Sequence, residues 1–161
     1  MEGLNKLKEL EYLNLAVNSV SKIEGVKRCE SLNKLDLTLN FIDVEDLKES
    51  CENLEFNYLF TDLYLTGNPC LDWTGCRDYV IAKVETLLRL DGTEITKSER
   101  LKAKTKLPDL EIELEKLAAA NKARKEFEKK EGKITENYTR EQRWQDYCEE
   151  EARKKKAEED R

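Results

Sequence analysis

The chain has 161 residues, which is enough for roughly one domain with an appendage. Charged residues make up 40% of it, above the roughly 25% of an average soluble domain, and the net charge is −6. Histidine is absent, which excludes Ser-His-Asp and Cys-His catalysis and every histidine-containing metal site within this chain.

The charge is distributed unevenly along the chain. Residues 1–96 carry 10 Lys/Arg against 18 Asp/Glu, whereas residues 97–161 carry 19 against 17. An acidic first part argues against direct contact with nucleic acid, because affinity for phosphates depends on basic side chains. The five cysteines include no CxxC pair and follow no signal peptide, which indicates a reducing compartment. No apolar run approaches the length that crosses a bilayer, so we expect no membrane association.

A leucine–asparagine pattern recurs in the first 69 residues. Its copies are Leu10, Leu13, Leu15 and Asn18, then Leu32, Leu35, Leu37 and Asn40, then Phe60, Leu63, Leu65 and Asn68. The asparagines are 22 and then 28 residues apart, within the range of about 20–29 for leucine-rich repeats. The leucine spacing has period 2, which argues against an amphipathic helix. We predict about three repeats over 1–69, the first incomplete, with a longer turn around Cys51–Tyr58.

The repeats predict a curved sheet with an exposed inner face. In such an array the leucines fill a stacked core, and the asparagines Asn18, Asn40 and Asn68 bond backbone groups of the turns. Curved repeat arrays commonly bind partners on their inner face. The candidate binding residues there are Tyr12, Asn14, Lys34, Asp36, Thr38, Asp62 and Tyr64. The alternative is a sheet face that is merely solvated.

Residues 70–106 predict a cap that closes the solenoid. After Pro69, apolar residues from Cys76 to Leu87 fall at helical spacing, and Leu87, Leu88 and Leu90 then run into Asp91-Gly92, a turn signal. We expect a helix followed by a final short strand to close the open end of the solenoid. We expect Trp73 and Tyr79 to be structural residues of this closure. Thr96-x-x-Glu99 is a capping box, which predicts a helix from about Lys97.

Residues 107–161 predict a charged helical arm. Pro108 is expected to interrupt the preceding helix and begin another, which Gly132 ends. Thr139-x-x-Gln142 is expected to cap a last helix. Trp144 and Tyr147 form its apolar face, either as a docking motif for a partner protein or packed back on the cap. The fold class is therefore α/β: a short leucine-rich-repeat solenoid with a C-terminal cap and a charged α-helical arm.

The sequence favours a non-enzymatic protein. Asp36 and Asp62 can be considered as a carboxylate pair, but no nucleophile or phosphate-binding glycine loop accompanies them. Cys70 and Cys76 without further ligands make a poor zinc site, so we expect them to be small buried apolar residues. No cofactor is expected.

Several motifs are more specific than a generic leucine-rich repeat. They are Leu65-Thr-Gly-Asn-Pro-Cys70, Trp73, Arg77-Asp-Tyr-Val-Ile-Ala82, Leu90-Asp-Gly-Thr-Glu-Ile95 and Ser98-Glu-Arg100. Together they closely resemble the tilB-like leucine-rich-repeat family of axonemal dynein assembly factors, over about residues 4–105. The resemblance implies a cytoplasmic scaffold without catalysis that helps to build dynein arms for cilia or flagella. The implied partners are dynein chains, chaperones and other assembly factors.

The chain departs from that family in three ways. It has Val84-Glu85 where the family usually has Leu-Pro, it lacks repeats expected before Leu4, and it lacks a p23-like domain expected after the arm. A fragment, a truncated product and a divergent relative all remain open as explanations. Two other functions also remain open: a nuclear adaptor similar to the leucine-rich-repeat subunit of a spliceosomal particle, and a structural component of the axoneme.

Overall fold

In a computed structural model, which describes residues 1–131 and 140–159, the repeats build one five-stranded sheet. Strands β1 (Tyr12–Asn14), β2 (Lys34–Asp36), β3 (Asp62–Tyr64) and β4 (Arg89–Leu90) are parallel neighbours in that order. Strand β5 (Thr93–Glu94) pairs antiparallel with β4 and ends the sheet. The strand leucines Leu35, Leu63 and Leu90 share one register and are buried. Their polar neighbours therefore face the opposite side, because side chains alternate along a strand.

The convex side carries helices whose length differs between repeats. Helix α1 (Val44–Asn53) follows the second repeat, a 3₁₀ helix spans Pro69–Asp72, and helix α2 (Cys76–Lys83) lies in the cap. The longer turn expected around Cys51–Tyr58 is wrong in part, because α1 continues to Asn53 before the chain turns. Asp43 explains where α1 begins, since its carboxylate accepts a hydrogen bond from the Val44 amide at 2.7 Å.

Two buried asparagines connect successive repeats. The Asn40 amide donates to the carbonyls of Leu15 and Leu37, both at 2.9 Å, and its oxygen accepts from the Val20 amide at 3.0 Å. Asn68 makes the equivalent bonds one repeat later, to Leu37, Leu65 and Ile42. Each side chain thus satisfies backbone groups of two neighbouring turns.

Helix α3 (Lys97–Lys130) packs across α1 and α2. Thr96 caps it by accepting from the Glu99 amide at 3.1 Å. The predicted interruption at Pro108 is wrong, since α3 continues through that residue. A proline inside a helix removes one backbone hydrogen bond, and the buried contacts of Ala103, Leu110 and Leu114 on either side offset this cost. The predicted boundary between 106 and 107 therefore falls within one helix.

Helix α4 (Arg140–Glu159) returns to the repeats. The predicted end signal Gly132 and cap residue Thr139 lie outside the described residues. Among the described helices, none is long and apolar enough to cross a membrane.

Candidate protein-interaction face

The inner face of the sheet presents two rows of side chains set by the strand register. Tyr12, Lys34, Asp62 and Arg89 form the first row, and Asn14, Asp36 and Tyr64 form the second. All of these side chains are partly or fully exposed. We call these seven residues the concave face. Thr38 lies just beyond β2, at its rim. Six of the seven predicted partner-binding residues therefore lie together on the concave face, with Arg89 beside them, and the predicted Thr38 lies at its rim.

A lysine lies between two aromatic rings on this face. The Lys34 ammonium is 4.8 Å from the centre of the Tyr12 ring and 5.2 Å from that of Tyr64. Both distances are within the range of a cation–π interaction. The arrangement holds the long lysine side chain against the sheet and leaves Tyr12 47% exposed. A fixed aromatic and cationic group on a concave surface suits recognition of another protein.

Two polar residues of the concave face also form hydrogen bonds in the turns that follow their strands. Asn14 accepts a hydrogen bond from the Ala16 amide at 2.9 Å, and Asp36 accepts from the Thr38 amide at 3.0 Å. The Thr38 hydroxyl donates to the same Asp36 oxygen at 2.7 Å. These bonds occupy Asp36 Oδ1, so this carboxylate is a turn-stabilising group as well as a surface group.

Sequence reasoning missed three polar residues of this region. Asp91 was recognised only as part of a turn, but its carboxylate accepts from the Leu65 and Thr66 amides at 2.6 and 3.0 Å. It takes over for the third repeat the role that Asp36 has in the second. Arg89 and Glu94 extend the inner face onto β4 and β5, where the short strands give no alternating signal.

The predicted structural residues lie in two places. Asn40 and Asn68 are buried between repeats, whereas the exposed Asn18 side chain donates to the Leu15 and Ala16 carbonyls of its own turn. Trp73 and Tyr79 are buried in the cap, with ring centres 5.9 Å apart. The Trp73 indole donates to Glu113 of α3 at 2.9 Å, which ties the cap to that helix.

The two predicted aromatics of α4 stack on each other, with ring centres 5.9 Å apart. Trp144 is 49% exposed, whereas Tyr147 is half-buried and faces the repeats. The neighbouring Arg143, which sequence analysis did not select, is buried. Its guanidinium donates to the carbonyls of Asn18 at 2.8 Å and Leu39 at 3.4 Å, and lies 4.0 Å from the centre of the Phe41 ring.

The buried thiols show no arrangement suited to a metal. Burial raises the pKa of the Cys51 thiol to about 12. A hydrogen bond with Cys76 and burial raise the pKa of Cys70 well above its usual range. Both thiols are therefore protonated at neutral pH and poor ligands. In the described part of the chain, no group of three or more Cys, Asp or Glu side chains is placed to hold a metal ion.

Sequence comparison with known proteins gives a consistent set of relatives. No protein-family model matches the chain. Dynein axonemal assembly factor 11 of Trypanosoma brucei brucei is 41% identical over 113 residues, which is 70% of this chain and 28% of that protein. The Mus musculus protein of the same name is 37% identical over 131 residues, 81% of this chain and 27% of that protein. Protein tilB of Drosophila melanogaster is 40% identical over 103 residues, 64% of this chain and 25% of that protein.

The matched region is similar to the tilB-like leucine-rich-repeat proteins named as dynein axonemal assembly factors. The resemblance stated from the motifs is thereby confirmed. The chain spans about a quarter of the length of these tilB-like relatives.

A solved structure with the same architecture supports the fold. A leucine-rich-repeat chain in the crystal structure of the Drosophila melanogaster SNF/U2A′ complex superimposes with a TM-score of 0.62 at 26% identity. The match covers 70% of this tilB-like chain and 67% of that chain. The predicted fold class, a leucine-rich-repeat α/β solenoid followed by helices, is confirmed.

Proposed function

We propose that this chain is a non-enzymatic scaffold that binds proteins through its concave face during assembly of axonemal dynein arms. The relatives named as dynein axonemal assembly factors support the process, and the leucine-rich-repeat fold supports protein partners. The assembly step takes place in the cytoplasm, before transport into cilia or flagella. The partners are dynein chains, chaperones or other assembly factors, and no nucleic acid or cofactor is contacted.

One observation carries the choice of face. The Lys34 side chain is held between Tyr12 and Tyr64 on an exposed, curved surface. Tyrosine is enriched where proteins meet, because it supplies large contact area at a small cost in conformational entropy. A sheet face that is only solvated has no need of this arrangement. Asp62 and Arg89, next in the same row, add charges of both signs that can select a complementary partner.

The test is a capture experiment from ciliated cells with the 161-residue chain as bait. Wild type is expected to retain dynein heavy or intermediate chains and assembly chaperones. Tyr64→Glu places a third carboxylate beside those of Asp36 and Asp62 and removes one of the two rings that contact Lys34. Retention is expected to fall about tenfold or more, since loss of a central aromatic contact typically costs over 1 kcal/mol. The melting curve is expected to change little.

Tyr58→Glu is the matched control. Tyr58 is 78% exposed in the turn before β3, away from the concave face. This variant is expected to retain the same proteins as wild type. Full retention by Tyr64→Glu would contradict the choice of face. Recovery of splicing proteins instead of dynein chains would favour the ribonucleoprotein adaptor. Finding this chain itself in detergent-extracted axonemes would favour a structural component of the axoneme.

A further inference from the structure

We infer that the edge of the repeats covered by α4 is a ridge of backbone carbonyls that binds arginine side chains, and that one step of it is open to an arginine of a partner protein. This surface is distinct from the concave face, and the inference goes beyond the function proposed above. It starts from Arg143 of the same chain, whose guanidinium bonds two ridge carbonyls, one from each of two neighbouring repeats. We call such a pair of carbonyls a step of the ridge. The Arg143 side chain is 8% exposed, the most buried of the described side chains of α4.

The ridge is built from the same corner in each repeat. Val17, Leu39 and Gly67 immediately precede the repeat asparagines, and all have a left-handed backbone with φ of 56°, 57° and 77°. The amides of Val17 and Leu39 donate across to Thr38 and Thr66 at 2.8 Å each, so successive corners are stacked in one register. The carbonyls that follow these corners are therefore placed equivalently from repeat to repeat.

Arg143 shows what a step of this ridge accepts. Its guanidinium bonds the carbonyl of Asn18 in the first repeat and the carbonyl of Leu39 in the second, and it lies over the Phe41 ring. A planar guanidinium suits this geometry, because it donates to two acceptors while its face contacts an aromatic ring. An ammonium group, which is compact and strongly hydrated, fits it less well.

The next step along the ridge has the equivalent carbonyls, those of Asn40 and Gly67. In the part of the chain that the structure describes, no donor is bonded to either of them. Both residues line a cleft of about 500 Å³ between the repeats and α4. Pro69 takes the place of Phe41 in this step, and Tyr147 lines the opposite wall. The cleft thus repeats the acceptors of the Arg143 step and adds an aromatic wall.

The charges around the cleft favour a cation. Three carboxylates line it, those of Asp72, Asp146 and Glu150, against two basic side chains. Of the basic ones, Arg143 is bonded to the first step, and Lys154 is paired with Glu150 at 3.0 Å. The carboxylates of Asp72 and Asp146 make no ion pair with any described residue, so they are available to a guanidinium in the cleft. Charge-assisted bonds to such groups are short and strong.

The experiment is an NMR titration of the ¹⁵N-labelled 161-residue chain with two tripeptides whose ends are blocked and uncharged. They are acetyl-Gly-Arg-Gly-amide and acetyl-Gly-Lys-Gly-amide. The arginine peptide is expected to shift the amide signals of residues around the open step, such as Phe41, Asn68 and Asp72. It is expected to bind about fivefold more tightly than the lysine peptide, since a guanidinium can satisfy two carbonyls at once. Equal binding of the two peptides would overturn the inference, because a general acidic field does not distinguish them.

Two variants locate the site. Asp72→Asn is expected to weaken arginine-peptide binding about threefold or more, whereas Asp62→Asn on the concave face leaves it unchanged. Arg143→Ala opens the first step, so the peptide is expected to shift the Val20 signal as well. If the arginine peptide shifts only the amide signals of Tyr12, Lys34 and Tyr64, it binds the concave face. That result would contradict the arginine site on the ridge and would leave the proposed function unaffected. The capture experiment with Tyr64→Glu tests the concave face, and its result does not depend on whether the arginine peptide binds the ridge.

Discussion

At the scale of single residues, the amide of Asn40 holds two repeats at once. It is 2% exposed, and its side chain bonds Leu15 and Val20 of one turn and Leu37 and Thr38 of the next. Asn18 has the same place in its repeat, but its side chain is exposed and donates to the Leu15 and Ala16 carbonyls of its own turn. Asn40 and Asn18 are the same residue type at equivalent positions, so a difference in stability between their alanine variants reports the effect of burial.

Asn40→Ala is expected to lower the free energy of unfolding by about 1–3 kcal/mol, because buried backbone groups lose their partners. Urea denaturation followed by circular dichroism measures this change. Asn18→Ala is the matched control and is expected to cost less than about 1 kcal/mol, since water replaces the lost bonds. Equal losses in the two variants would show that the buried asparagine does not hold the repeats together.

The residues of the core and turns were largely predictable, because leucine and asparagine have one dominant role in this repeat. Arg143 was not predictable. A single arginine among many charged residues of α4 gives no pattern, and its acceptors, the Asn18 and Leu39 carbonyls, lie more than a hundred residues away in sequence. Asp91 was missed for a related reason, since its acceptor role appears only when β4 is placed beside β3.

At the scale of secondary-structure elements, α3 is fastened to the start of α1 by a polar cluster. Lys125 lies 2.9 Å from a carboxylate oxygen of Asp43 and 3.1 Å from one of Glu45. Asn121 donates to the same two side chains at 2.9 and 2.8 Å. The cluster lies where the apolar stripe of α3 has ended, which is why the sequence predicted only a solvated arm there.

This cluster makes the attachment of α3 sensitive to acid. Burial tends to raise the pKa of Asp43, but hydrogen bonds from Lys125, the Val44 amide and Asn121 outweigh it and leave the pKa below 3.8. A lowered pKa in the folded state means that the stabilisation is complete above the unfolded value and is lost as pH falls through the folded value. Asp46, whose pKa burial raises, contributes with the opposite sign.

Asp46 is present in both wild type and Lys125→Met, so these two proteins are compared. Wild type is expected to be more stable than Lys125→Met at pH 7, and this difference is expected to shrink as pH falls below about 3.8. Urea denaturation at several pH values measures it. Lys104→Met is the control, because Lys104 pairs with the exposed Glu85 and such pairs contribute little. A difference that persists undiminished at acid pH would exclude Asp43 as the partner that matters.

At the scale of the whole molecule, α3 belongs to the folded body, whereas α4 is attached at few points. Leu110 and Leu114 of α3 are buried, and Trp73 of the cap donates to Glu113 on the same helix. In α4, Arg143 is buried and Tyr147 and Glu151 are half-buried among the side chains that the structure describes. Sequence reasoning placed both helices in one arm, because Pro108 and the high charge hide the buried stripe of α3.

Two truncations test this division. A chain ending at Lys106 loses the buried leucines and the polar cluster, and is expected to lose about 4 kcal/mol or more of stability, since each buried leucine typically contributes 2–5 kcal/mol. A chain ending at Glu131 keeps them and is expected to stay within about 1 kcal/mol of the full chain, because it gives up mainly the bonds of Arg143. Urea midpoints and binding of a hydrophobic dye measure both. Equal losses would mean that α4, rather than α3, closes the apolar surface of α1 and α2. The expected order would instead mean that the repeats and α3 fold without α4, and that α4 is attached to this folded body mainly through Arg143 on the carbonyl ridge.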